Sequence, residues 1–170
     1  MAAVSVVFDI LIKSAVVTQY HLAQINIAKA VADLDSPLMA GFRSRINEIN
    51  GLADKAKGFI WRLQSEEGDA TSIRAFEDSN TYINLSVWET PEDLKNFVYR
   101  TMHVELIRDR ETWFSRLPEQ HQAAWWVPAG HRPSAEEGRD RLLTLRAHGP
   151  SATAFTLAKP FPQPHSTTPA

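Results

Sequence analysis

Cysteine is missing from this 170-residue chain, which excludes disulfides, thiolate nucleophiles and cysteine zinc sites while leaving the redox compartment open. An excess of charge is missing too. Eighteen Lys and Arg stand against 20 Asp and Glu for a net charge of -2, and the basic residues are scattered, so the footprint of a nucleic-acid binder is lacking. No apolar run is long enough to span a membrane. The stretch from Met1 to Gln19 comes nearest, but Asp9 and Lys13 interrupt it and no basic leader precedes it. Cytoplasmic residence without membrane contact is the expectation. A Gly-rich phosphate loop, a Gly-x-Ser-x-Gly elbow and a His-x-x-x-His pair are also missing, the last because Ile107 follows His103 by four. The 6 histidines are dispersed, so no metal site is expected.

What is present fits one domain with a substantial core. A hydrophobic content of 44% over this length suits one globular unit better than two. We place that unit at residues 20–158, after an extension over 1–19 and before a Pro-rich tail over 159–170. In the extension, Val4, Val6, Phe8, Ile10 and Ile12 alternate. It reads either as an extra strand or partner-swapped arm, or as a flexible start. The tail sets Pro160, Pro162, Pro164 and Pro169 among Ser and Thr, a composition expected to be disordered.

Within the unit, Tyr20 to Ala28 alternates as a strand with His21, Ala23, Ile25 and Ile27 on one face and Leu22, Gln24 and Asn26 on the other. Ser36 and Pro37 supply a helix start, the serine as cap, and the helix runs to about Asp54 with Gly58 beyond its end. Strands follow at Phe59 to Gln64 and Tyr82 to Glu89, with a short extended piece near Ile73 to Phe76 between them. Thr90, Pro91 and Asp93 open a long helix to Leu117. Gln122 to Val127 is a further strand, and Ser134 with Glu137 caps a last helix over Ala135 to His148. Strand, helix, strand, strand, helix, strand is the split βαβ order of ferredoxin-like domains, an α+β class. Such a sheet carries helices on one side only, and a homodimer is the expected cover for the other.

The long helix holds the most informative pattern. His103 and Arg110 share a stripe with Leu106, Ile107, Phe114 and Leu117, so the face meant for the core carries an imidazole and a guanidinium. Burying either one unpaired would cost on the order of several kcal/mol, which points to a polar pocket under the helix. The apolar stripe also rotates by more than ~100° along the segment, which predicts a bend near Tyr99 to Met102. Each residue has a plainer reading. His103 reads as a satisfied core or interface histidine or as a ligand or general base. Arg110 reads as an ion-pair partner across a dimer seam or as a group holding an anionic oxygen.

The sheet supplies a second constellation, because Gln24, Asn26, Arg62, Gln64, Asn84, Ser86 and Trp88 alternate opposite the aliphatic sides of their strands. Amides and hydroxyls among aromatics suit a flat polar-edged substrate, and equally a wet or interfacial face. Trp61, Trp125 and Trp126 read first as core or interface bulk, with Trp126 kept as a substrate platform. Tyr99 at the bend is a candidate to lend its phenol to the pocket. His131 lies beside Arg132 in a Pro-bounded loop, as a lid or anion-binding residue or simply solvated.

Several of these runs form a recognisable signature: Tyr20-His21-Leu22-Ala23-Gln24, Gly58 to Gln64, Asn84 to Leu94, Phe97-Val98-Tyr99-Arg100, and Trp125 to Pro133. Over residues 20 to 157 the chain resembles domain-of-unknown-function family 3291, and more broadly the dimeric α/β-barrel superfamily of antibiotic-biosynthesis monooxygenase-like and haem-degrading proteins. The resemblance implies a ferredoxin-like dimeric α/β barrel, here with an added C-terminal helix. It also implies a ligand cavity between sheet and helices, reached by a histidine of the second helix and an asparagine of the first strand. His103 and Asn26 match those positions. Haem-degrading relatives carry a tryptophan about three turns before the histidine. Asp93 stands nearest that spot, a departure that weighs against haem degradation and leaves haem binding open.

The expectation from residues and resemblance together is a small-molecule enzyme acting on a flat, largely apolar or aromatic metabolite. Cofactor-independent oxygenation, isomerisation or cyclisation all fit, with His103 as general acid or base and Asn26 and Arg110 holding developing negative charge. Arg62, Asn84, Ser86, Trp88, Tyr99, Trp126 and His131 complete the expected substrate site. Two alternatives stand beside it. One is a haem-binding protein with His103 as axial ligand, and the other a non-catalytic dimeric binding module.

Overall fold

The computed structural model describes residues 19–101 and 110–164. Its backbone is one antiparallel sheet built around β1 (Tyr20–Ala30). On one side β1 pairs with β3 (Thr81–Trp88), which pairs in turn with β2 (Phe59–Arg62). On the other side β1 pairs with β5 (Gln122–Pro128) along most of its length and with the two-residue β4 (Phe114–Ser115) at Lys29 and Ala30. A short 3-10 turn (Pro37–Met39) and α1 (Ala40–Asp54) link β1 to β2. α2 (Pro91–Asn96), a π-helical turn (Phe97–Thr101) and helical residues 110–113 lie between β3 and β4, and α3 (Ala135–His148) follows β5.

The strict alternation of the strands sorts their side chains into two layers. Ala23, Ile25, Leu85, Val87, Trp125 and Val127 share one face and are almost wholly buried, because α3 lays Ala135, Leu142 and Leu145 across them. Each fully buried aliphatic side chain there contributes roughly 1.5–3 kcal/mol. Gly138 lets α3 sit close. A β carbon at that position would lie 3.1 Å from Ile25 Cδ1 and 3.3 Å from Leu85 Cδ1. The sheet face expected to be bare is therefore covered by the chain's own last helix, and the argument for a dimer from an uncovered face does not hold.

Local signals set most element ends. Thr90 Oγ1 accepts from the Asp93 amide at 3.1 Å, and Ser134 Oγ accepts from the Glu137 amide at 3.1 Å, as the capping patterns predict. Gly149 ends α3 at a positive φ of 75°. Ser36 behaves otherwise than expected: its hydroxyl is buried without a partner and caps nothing, since the chain enters α1 through the 3-10 turn instead. The piece from Ile73 to Phe76 is not a strand, and Ile73 and Phe76 pack irregularly against the α3-side core.

Two larger corrections concern the second half. The expected helix from Thr90 to Leu117 is interrupted, with α2 ending at Asn96, the π-helical turn following, and Phe114 already paired in β4 with Ala30. The rotation of the apolar stripe did signal this break, for a π turn inserts an extra residue and shifts the helical phase. Packed structure also continues past Lys159. Phe161 stacks on Phe155 at 5.8 Å and its carbonyl accepts from Trp126 Nε1 at 2.8 Å, so this part of the expected tail lies against the sheet. The extension over 1–18 and residues 165–170 lie outside the described residues.

Candidate functional site

The second sheet face is roofed by α1 and α2 and does not close completely. Between sheet and helices is a cavity of about 420 Å³, within the range of small-molecule sites. Phe42, Ile46 and Ile49 of α1 and Leu94 with Phe97 supply an apolar roof, while Trp113 and Phe114 wall one end. The floor is the sheet, and register orders it into cross-strand rows.

Phe59, Trp88 and Leu22 form an apolar row through their pairings. Next comes a polar row of Arg62, Ser86 and Gln24, and then a second of Asn84, Asn26 and Gln122. A β-bulge at Ile60 makes the first two rows possible. It sets Phe59 opposite Trp88 and Arg62 opposite Ser86, with Trp61 turned to the α3 side.

The polar rows are partly self-satisfied. Gln24 Nε2 donates to Asn84 Oδ1 and to Ser86 Oγ, both at 2.8 Å, and Trp88 Nε1 donates to the same Ser86 hydroxyl at 2.9 Å. This fixes Trp88, only 1% exposed, between Phe59 and Phe97 at ring separations of 5.3 and 5.2 Å. Asn26 differs. Its Oδ1 is enclosed and has no hydrogen-bond partner among the described residues.

Charge is concentrated at the edges. Arg62 donates through Nε to Asp54 Oδ1 at 2.8 Å, through a terminal nitrogen to Asp54 Oδ2 at 3.2 Å, and to the Gly68 carbonyl at 2.8 Å. Its positive charge is thus met by the C-terminal end of α1, and it ties α1 to the loop after β2. In that loop Asp69 Oδ1 accepts from the Thr71 amide and hydroxyl at 2.8 and 2.6 Å. Arg110, Tyr99 and Asn84 line the cavity and are exposed, which places its mouth beside them. Arg110 has no ion-pair or hydrogen-bond partner among the described residues.

The expected site residues separate into three groups. Asn26, Arg62, Asn84, Ser86, Trp88, Tyr99 and Arg110 come together around this cavity. Arg110 is exposed at the rim rather than in a buried stripe. Trp126 and His131 lie elsewhere: Trp126 packs against Phe155 and Phe161, and His131 Nε2 pairs with Glu137 Oε2 at 2.7 Å at the start of α3. Gln64 is exposed beyond the end of β2. His103, with Leu106 and Ile107, lies outside the described residues.

Residues that the sequence reading passed over include Trp113, Asn50, Asp69 and Thr71. Trp113 had a signal, being three residues after Arg110 and hence on the same side of a helical turn. The Asp69–Thr71 loop had none beyond a polar composition. Among the described residues, no three His, Asp or Glu are gathered to hold a metal ion, and no helix is long and apolar enough to cross a membrane.

No curated protein and no solved structure matches the chain. A family model does, over residues 21–170, nearly the full length and all of the cavity's described walls. The chain belongs to the family described as a domain of unknown function, DUF3291.

Proposed function

We propose that this protein is a small-molecule enzyme of the antibiotic-biosynthesis monooxygenase-like type, taking a flat, largely apolar metabolite into the cavity between the sheet and the helices α1 and α2. The observation that carries the reading is the pair of polar rows, Arg62-Ser86-Gln24 and Asn84-Asn26-Gln122, set in a cavity otherwise walled by Phe42, Phe97, Trp88 and Trp113. Rings hold the faces of a planar molecule by contact, and amides fix its edge by hydrogen bonds. The antiparallel order β2-β3-β1-β5 supports the ferredoxin-like superfamily placement behind the reading. A homodimer enters only through that placement, and it would have to use a surface other than the one under α3.

In the chemistry this reading assigns, Asn26 and the Gln24–Asn84–Ser86 network orient the substrate. Arg110 stabilises negative charge that develops on an oxygen at the mouth when a proton leaves carbon. His103 would move that proton, and isomerisation, cyclisation or reaction of the resulting anion with dioxygen are the outcomes open to it.

Haem fits the described residues poorly. No His, Cys or Met is among the described residues lining the cavity, and of its two tyrosines Tyr99 is 57% exposed while Tyr82 is a buried core residue with the Arg74 guanidinium over its ring. The haem reading therefore rests on His103 alone.

Mass spectrometry of molecules released from the purified protein on denaturation tests the proposal, together with titration by planar aromatic probes. A copurifying planar metabolite, or saturable quenching of tryptophan fluorescence that Phe42→Trp and Ile49→Trp block by filling the cavity, is the expected result. Failure of planar aromatics to bind at all overturns it.

A further inference from the structure

The floor of the cavity holds one polar group that the Gln24–Asn84–Ser86 network leaves unused. Asn is depleted in strands, yet Asn26 occupies the middle of the central strand, with β3 on one side and β5 on the other. Its enclosed Oδ1 takes no bond from the described residues, although Asn84 and Gln122 stand opposite it on the neighbouring strands. Asn84, directly opposite on β3, uses its own Oδ1 to accept from Gln24, and Gln122, opposite on β5, makes no bond to Asn26. A buried carbonyl oxygen without a partner is rare in folded proteins, and each case asks for an explanation.

We infer that the natural ligand presents a hydrogen-bond donor, a phenolic O–H or a ring N–H, to Asn26 Oδ1. The cavity then selects hydroxyaromatic or lactam-type rings over the corresponding ethers and hydrocarbons. The inference rests on the proposed small-molecule role of the cavity and adds to it the polarity of the recognised edge. A ring that covers this oxygen without donating to it leaves the acceptor unpaired and loses affinity, whereas one that carries a donor does not. A site built to bond a donor therefore rejects the analogue lacking it more strongly than apolar fit alone permits.

Calorimetric titration of the full chain with 2-naphthol, 2-methoxynaphthalene and naphthalene tests this, since all three share one flat body. 2-Naphthol should bind at least about tenfold more tightly than either analogue, and Asn26→Leu should reduce the preference to within about twofold while leaving the ether and the hydrocarbon bound. Asn26→Ala serves in its place if the leucine variant does not fold. The wild-type ratio decides in any case. Equal affinities, or a preference for the ether, overturn the donor inference while the cavity remains an aromatic-binding site. No binding by any of the three overturns both.

Discussion

Gly58 lies so close to Asp93 that a β carbon on the glycine would come within 2.4 Å of the carboxyl group. Gly58 also holds a φ of +74°, a conformation other residues enter only with strain. Asp93 is needed where it is, since Thr90 donates to its Oδ2 at 2.7 Å and accepts from its amide at the start of α2. Gly58→Ala should therefore destabilise the fold by about 2–3 kcal/mol, the sum of left-handed strain and a disturbed cap. Asp93→Gly removes both the carboxyl and the Asp93 β carbon, which an alanine would leave 2.6 Å from the new methyl, so the double variant should lose less than the two single variants together. Strict additivity in urea unfolding would show that the contact has no energetic weight.

The Ser86 hydroxyl gathers donors from Trp88 and Gln24 inside the sheet. Ser86→Ala leaves the buried indole N–H unpaired, at a cost of about 1–3 kcal/mol. Because Trp88 walls the cavity, the same variant should weaken binding of planar probes. Unchanged stability together with unchanged probe affinity would remove Ser86 from both roles.

Asp54 masks the charge of Arg62 through two hydrogen bonds. Asp54→Asn should turn Arg62 into an unmatched cation beside the cavity and raise the affinity of 2-naphthoate roughly three- to tenfold at low salt, with the gain shrinking as salt is added. Arg62→Met in the same background should abolish the gain. A salt-independent increase would point to a change in cavity shape instead.

Acid sensitivity has one identifiable contributor on β1. Lys29 donates to Asp78 across 2.8 Å and holds its carboxyl below the usual aspartate range, with the Asn80 amide adding to the effect. A carboxyl whose folded value is depressed stabilises the fold above its unfolded value and loses that contribution as pH falls through the folded one. Lys29→Met should thus raise the NMR titration midpoint of Asp78 and flatten the loss of stability below about pH 4. A midpoint that does not move would assign the depression to the backbone amide.

Much of this architecture was legible in the residues. Alternation alone put Gln24, Asn26, Asn84, Ser86 and Trp88 on one side of their strands, and that side became the cavity floor. The Thr90 and Ser134 caps were readable because a side-chain oxygen answers a specific amide within one turn. Alternation does not say which face a helix covers, so the placement of α3 opposite the cavity was not readable, nor was the loss of the dimer argument that follows. The π turn left a trace as a rotating stripe. The exposure of Arg110 at the rim was not readable, since a stripe drawn on an unbroken helix places it toward the core. Trp126 and His131 were drawn toward the site by residue type, while long-range contacts with Phe161 and Glu137 held them elsewhere.

The bulge at Ile60 makes chain length at one point a carrier of information. Phe59 and Arg62 share a face although three positions separate them, an odd offset that a regular strand would not tolerate. Removing Ile60 would leave Phe59 and Arg62 two places apart, an even offset at which a regular strand keeps both at the cavity floor and Trp61 on the α3 side. Drawing the bulge out into regular strand at unchanged length, with Arg62 still at the floor, would instead turn Phe59 to the α3 side and bring Ile60 to the cavity, exchanging a phenyl for an aliphatic side chain at the pocket wall. Members of the family whose second strand runs regularly at this length should differ in what they hold.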